Sequence, residues 1–284
     1  MARARTIQIF LPNGDPRGIR VGQLTTSILQ VIEVPRALIE DFRAMPESKQ
    51  VGLYLLIGDH DGLERSAVYI GQSGDVGTRL SQHHKEKDFW SRALVAHSLT
   101  NSLTQTHVLF LEWLSIREAA KASRYQVENG NAGSKPHTPA PMEADCLELF
   151  DTARILVASL GQPVFESLAA PGGHAVDDDG FVLEGNGYRA TGAYTEEGFV
   201  VRKGSTARVE VAPSARGSIE RRRRSLIDEG ALALTDGVYV FQRDVLFGSP
   251  SGASDMVAGS ATNGWVVWKS RDGRTLDELK RSGI

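Results

Sequence analysis

Between residues 54 and 83 the chain carries two phenols, Tyr54 and Tyr69, the guanidinium of Arg79 and the imidazole of His83. Phenols and imidazoles move protons. Their ordinary pKa values lie near about 10 and about 6.5, so His83 is the better base by nature. A tyrosine needs a nearby cation before it gives up its proton close to neutrality. A guanidinium presents forked N–H donors to an anion. Further along, Glu112 interrupts an apolar stripe formed by Val108, Leu111, Ser115, Ile116 and Ala119 at helical spacing. A carboxylate buried there alone would be costly. Glu112 therefore implies either an arginine partner or a metal ion at the floor of a cleft. Taken singly, each of these residues also suits a plainer role: a half-buried strand tyrosine, a solvated helix stripe, a surface histidine at His84.

Positioning such groups requires regular elements. GLYLLI (52–57) and AVYIG (67–71) are rich in strand formers, with the polar stretch GDHDGLERS between them. Alternation sets Leu53, Leu55 and Ile57 on one face and Tyr54 and Leu56 on the other. In the second strand it opposes Val68 and Ile70 to Tyr69 and Gly71, so paired strands bring the two tyrosines to one face. Asp75 can cap a helix from Val76 to about Asp88, on which Arg79 and His83 stand one turn apart. ALVAHSL (93–99) is a third strand candidate. Thr104 can cap a longer helix over 105–125 that carries His107 and Glu112. Upstream, IQIFL and IRVGQL flank a turn containing Asn13-Gly14, the pattern of a hairpin. LQVIEVP (29–35) is a strand, and RALIEDFRAM (36–45) is a short helix ending before Pro46.

At 284 residues the chain exceeds one average domain. The apolar fraction of 41% and charged fraction of 24% are those of an ordinary globular chain. A single cysteine, Cys146, excludes an internal disulfide and a cysteine zinc site, and suits a reducing cytoplasm. No apolar run has membrane-spanning length, and no secretion signal is read at the N-terminus. The net charge of −3 speaks mildly against non-specific nucleic-acid binding, but charge is segregated: acids at 177–179, bases at Arg221, Arg222, Arg223 and Arg224. Residues 129–141 are a Gly/Pro-rich loop, 142–161 return to helical spacing, and LAAPGGHAVDDDG (168–180) marks a boundary. The expected organisation is an N-terminal β-rich segment over 1–48, a domain over 49–166, and an α+β domain over 180–284.

With the motifs in place, GLY at 52–54 and YIG at 69–71 resemble the signature tripeptides of the GIY-YIG nucleases, with Leu53 in place of the middle isoleucine. YIGQSGDVGTRLSQH extends the likeness through a helix with Arg79 and His83. Glu112 on the next helix and an asparagine beyond it, Asn129 or else Asn131, complete it over roughly residues 50–130. The resemblance implies an α+β fold built on a small three-stranded antiparallel sheet flanked by helices. It implies hydrolysis of DNA phosphodiesters with one hard divalent cation, Mg²⁺ or a similar ion such as Mn²⁺, held by Glu112. Arg79 would stabilise phosphoryl charge. Tyr54, Tyr69 and His83 would position or deprotonate the attacking water, with the general base open among them; the family's proposals favour Tyr54.

The tail, GSPSGASDMVAGSATNGWVVWK (248–269), resembles a C-terminal domain of unknown function often found behind GIY-YIG domains. More distantly it resembles restriction-enzyme adenine-methylase-associated (RAMA) domains, which are predicted to read modified DNA. Ser249 caps a helix with Pro250 at its first position. Asn263-Gly264 is expected to turn the chain into a strand carrying Trp265 and Trp268 on opposite faces, either as core anchors or as a wall for stacking on a base. Arg221 and Arg222 lie on a basic helix that is either a solvated face or a phosphate contact. The expectation is a cytoplasmic, metal-dependent DNA endonuclease in restriction, defence or repair, with DNA as partner and no membrane or small-molecule cofactor. The alternative is a non-catalytic DNA-binding protein on the same scaffold.

Overall fold

The computed structural model describes residues 4–59, 65–130, 132–168 and 180–281, with the side chains of Ser214 and Arg216 excepted. The chain forms two compact α+β units that part after Ser167.

The first unit is built on one sheet. Its strands are β1 (Ile7–Phe10), β2 (Arg20–Leu24), β3 (Leu29–Pro35), β4 (Gly52–Gly58), β5 (Ala67–Ser73), β6 (Trp90–Ser98) and β7 (Gln126–Val127). Its helices are α1 (Ile39–Ala44), α2 (Val76–Glu86), α3 (Gln105–Ala122) and α4 (Ala140–Ser159). The strand order is β1-β2-β3-β6-β4-β5-β7, antiparallel throughout except for the parallel β5–β7 contact. The three strands expected from the sequence, β6-β4-β5, are thus the middle of a seven-stranded sheet rather than the whole of one. The extension comes from β3 pairing with β6, Leu29 opposite Ser98 through Pro35 opposite Arg92. Residues before 49 therefore supply three strands of this same sheet.

Period-2 alternation gives the sheet two apolar faces. One carries Leu53, Leu55, Ile57, Val68 and Ile70 and is covered by apolar residues of α3 and α4, including Val108, Leu111, Phe150 and Leu156. The other carries Tyr54, Leu56, Val95 and Tyr69 and is covered by Phe42 of α1 and by Val76 and Leu80 of α2. Glu33 on β3 is fully buried, and its carboxylate is held by Arg20 and Arg92.

The second unit has a four-stranded antiparallel sheet, order β14-β10-β9-β8, and a three-stranded one, order β11-β13-β12. The strands are β8 (Phe181–Gly185), β9 (Tyr188–Thr195), β10 (Gly198–Val201), β11 (Thr206–Ala207), β12 (Leu232–Thr235), β13 (Val238–Phe241) and β14 (Val245–Phe247). The helices are α5 (Arg216–Asp228), α6 (Pro250–Ala258), α7 (Gly264–Val267) and α8 (Leu276–Lys280). Phe199, Phe241, Phe247, Met256 and Trp268 fill the core between them.

Candidate active site

Tyr54 and Tyr69 share the α2-facing side of the sheet because β4 and β5 pair with Tyr54 opposite Gly71 and Leu56 opposite Tyr69. Their ring centroids lie 6.5 Å apart. Arg79 and His83 reach them from α2. The Tyr54 hydroxyl lies 2.8 Å from His83 Nε2, and Arg79 Nε donates to the same oxygen at 3.4 Å. Tyr69 meets the His83 ring edge-on at 5.3 Å. Lys87, just past the helix, sets its ammonium 4.4 Å from the Tyr69 ring centroid. Lys87 was not among the residues singled out in the sequence.

Both ends of α2 are fixed. At the start, Asp75 accepts from the Thr78 N–H at 2.9 Å, satisfying one of the helix's open donors. At the end, Arg36 donates to the carbonyls of His84 and Asp88, each at 2.9 Å, and stacks on Trp90. His84 thus stands at the surface as a neighbour of Arg36, and His107 forms a capping box with Thr104.

The glycines of the two tripeptides make room for this packing. A Cβ on Gly71 would lie 2.4 Å from the Tyr54 hydroxyl, and one on Gly52 would lie 2.9 Å from both the Ala96 carbonyl and Val76 Cγ2. The Tyr54 ring can pass over β5 at position 71 only because that residue has no side chain.

Glu112 approaches from α3, at the C-terminal end of β5. The backbone N–H of Gln72, Arg79 and Tyr54 lie within electrostatic reach of its carboxylate. The side chain is half-buried, and burial pushes its proton affinity up despite Gln72 and Arg79. Among the described residues it forms no ion pair. A desolvated carboxylate next to cationic and hydrogen-bond-donating neighbours, with no counter-ion of its own, suits a hard cation whose other ligands are waters and substrate oxygens. No cluster of three or more His, Cys, Asp or Glu positioned for a metal is present among the described residues.

Asn129 acts on the strand. Its side chain accepts from the Ile70 N–H at 2.9 Å and donates to the Ile70 carbonyl at 2.8 Å, continuing the ladder in which the Gln126 N–H donates to Ser66 and the Glu128 N–H to Val68. It holds β5 at the second tripeptide, and both of its polar atoms are used in doing so. Asn131 lies outside the described residues.

Burial dominates the electrostatics of the phenol–imidazole pair. Tyr54 and His83 are each 1% exposed. Burial raises the Tyr54 phenol to about 12, against the opposing pull of Arg79. Burial, reinforced by the charges of Arg79 and Lys87, lowers His83 to about 4. Near neutrality both groups are uncharged, joined by one hydrogen bond, and His83 Nδ1 has no partner among the described residues.

The second unit departs from the sequence expectation. Residues 264–267 form a short helix, not a strand, because Asn263 caps it by accepting from the Trp265 N–H, and Gly264 sits directly on the Pro250 backbone. Trp268 is fully buried, 4.4 Å from Phe199, with its indole N–H donating to the Pro250 carbonyl. It is a core anchor and offers no surface to a base. Trp265 is half-buried, with the Arg281 guanidinium 3.5 Å from its ring centroid and Tyr194 edge-on. Ser249 and Pro250 begin α6 as expected. On α5, Arg221 is exposed and Arg222 lies over Phe247, whereas Arg223 is buried. The acids at 177–179 lie outside the described residues.

Residues 181–280 match the family model described as "Domain of unknown function (DUF4357)". No curated protein and no solved structure matches the chain. Among the described residues, no helix is long and apolar enough to cross a membrane.

Proposed function

We propose that the first unit is a metal-dependent endonuclease of the GIY-YIG type that hydrolyses DNA phosphodiesters, with the second unit serving DNA recognition. The observation that carries this reading is the convergence on one oxygen: the Tyr54 hydroxyl is held by His83 and Arg79, beside a second phenol and within electrostatic reach of Glu112.

In this scheme Glu112 would hold Mg²⁺ or Mn²⁺, which when bound would supply Lewis-acid chemistry at the phosphate. Arg79 and Lys87 attract the phosphate and stabilise its developing negative charge. Attacking water donates a hydrogen bond to the Tyr54 oxygen. As its proton moves to Tyr54 and the phenolic proton passes to His83 Nε2, the water oxygen bonds to phosphorus. The P–O bond to the departing sugar oxygen breaks, and that oxygen takes its proton from solvent water. Neither Tyr54 nor His83 must ionise in advance. Phosphate occupancy offsets the Arg79 and Lys87 charges that depress His83, which makes the imidazole a better acceptor when substrate is present. Tyr69 packs against His83 and fixes its ring orientation.

The test is incubation of the full chain with plasmid and with modified phage DNA, in Mg²⁺ or in chelator. Nicking or linearisation that requires the metal is the expected result. No strand cleavage on any substrate across Mg²⁺ and Mn²⁺ would favour a DNA-binding protein without hydrolytic activity.

A further inference from the structure

The seven-stranded sheet ends on one side at β1. Which of its backbone groups face outward follows from the β1–β2 register. The Thr25 N–H donates to the Thr6 carbonyl, one step beyond the Ile7–Leu24 pair. Bonded and unbonded pairs alternate along an antiparallel ladder. Gln8 and Phe10 therefore bond to β2, and the N–H and C=O groups of Ile7 and Ile9 point away from it. Among the described residues no strand pairs with that side of β1. An open edge is a template for another strand, and chains ordinarily guard it with charge, proline, a bulge or brevity. The opposite edge of the same sheet is guarded by brevity, since β7 has two residues. The β1 edge carries none of these guards. TIQIFL (6–11) holds no charge and no proline, and its register with β2 is unbroken. Ile9 is 47% exposed and Phe10 65%.

The pattern on β1 fits a copy of itself. Antiparallel strands related by a two-fold axis pair residues of like parity, so each meets a residue from the same face of the sheet. With the axis at Gln8, Ile7 of each copy faces Ile9 of the other. Each such pair exchanges both N–H···O bonds of the open edge. On one face this sets isoleucine against isoleucine, beside the core that Ile7 already touches. On the other face Gln8 meets Gln8. Gln8 stands opposite Gln23 and Gln23 opposite Gln30, and the Gln30 amide donates to Gln23 Oε1 at 3.0 Å. The amide row of one copy thus runs on into that of the other, as glutamines on identical paired strands do. No like charges meet, because Arg5 falls opposite Leu11. An axis at Ile9 would set the Gln8 amide against the Phe10 ring and end the row. One at Ile7 would set Arg5 against Ile9.

We propose that β1 pairs with β1 of a second copy of this chain across a two-fold axis at Gln8, so that one continuous sheet runs through a homodimer. A single strand pair lies at the small end of interface sizes, so the dimer dissociates on dilution. The inference rests on the sheet of the first unit alone, whether or not that unit cleaves DNA.

The test is sedimentation velocity of the full chain over roughly 1–200 μM, a range suited to a small interface. A shift from monomer to dimer with rising concentration is expected. Ile9→Lys places a charge on the open edge and removes no backbone bond to β2. It should weaken the dimer roughly tenfold or more and leave the melting temperature of the dilute protein unchanged. Leu234→Lys, at a position 60% exposed on β12, should dimerise like the parent. The register has its own readout. The one native thiol, Cys146, is buried. Facing Gln8 positions lie within disulfide reach, whereas the two Thr6 positions lie about 13 Å apart along the strands. Mild oxidation should therefore give a covalent dimer of Gln8→Cys and leave Thr6→Cys monomeric. A monomer at every concentration overturns the inference, as does a dimer that survives Ile9→Lys. Assembly beyond the dimer overturns the closed two-fold pairing. Cross-linking of Thr6→Cys as readily as Gln8→Cys overturns the axis at Gln8.

Discussion

The Tyr54 hydroxyl and His83 Nε2 lie 2.8 Å apart, both almost wholly buried. One residue comes from the second strand position after Gly52, the other from the end of the next helix, and the contact joins sheet to helix by a single neutral hydrogen bond.

That contact makes stability depend on pH at both extremes. His83 is lowered to about 4, below its unfolded value of about 6.5, so between these values the unfolded chain binds more protons. Stability is fully present above about pH 6.5 and is lost as pH falls toward 4, by ~1–3 kcal/mol from this group. Denaturant melts from pH 4 to 7 should show this slope, and His83→Asn should flatten it. Tyr54 is raised to about 12, so its contribution is present below pH 10 and is lost as pH rises through 12. Absorbance at 295 nm should show one tyrosine ionising late, and Tyr54→Phe should remove it.

Gly71→Ala should disturb the pair from the opposite side. A methyl group there would lie 2.4 Å from the Tyr54 oxygen, so the ring must move. Overpacking of this kind costs ~1–3 kcal/mol. The expected outcome is a lower melting temperature together with loss of cleavage, and the late-ionising tyrosine should shift toward the ordinary value.

Asn129→Ala should loosen β5 rather than remove a reacting group. Two hydrogen bonds to Ile70 are lost, a cost of about 1–3 kcal/mol. Amide exchange at Ile70 should quicken while the Tyr54 titration keeps its raised midpoint. Asn129→Asp retains the acceptor for the Ile70 N–H but loses the donor to its carbonyl, so it should restore only part of the protection.

Glu112→Gln separates metal binding from folding. Burial raises the carboxylate's proton affinity, so its charge does not stabilise the fold. The variant should melt at the same temperature as the parent or higher. Excess Mg²⁺ should raise the melting temperature of the parent by mass action and leave the variant unmoved.

Local signals carried much of the first unit. Alternation in GLYLLI and AVYIG set the two tyrosines on one face, and Asp75 marked the start of the helix that carries Arg79 and His83 one turn apart. What lay beyond reach came from pairings distant in sequence. The sheet grows from three strands to seven because β3 reaches β6 across more than sixty positions of chain, with Leu29 opposite Ser98. Asn129 closes on Ile70 from another element, and no local pattern distinguishes that from contact with a substrate. In RRRR, burial of Arg223 is decided by the carbonyls of Val209 and Met256 and by Tyr239. Asn263-Gly264-Trp265 resembles a turn into a strand because a four-residue helix is too short to show periodicity. Lys87 falls just past the helix end, where spacing gives no hint that it lies over Tyr69.

The most direct measurement is single-turnover cleavage of duplex DNA in Mg²⁺ by the parent chain, Glu112→Ala and Arg79→Ala, with melting temperatures taken in parallel. Metal-dependent cleavage by the parent and none by either variant, with both still folded, is the expected result. Cleavage at parental rates by both folded variants would contradict it.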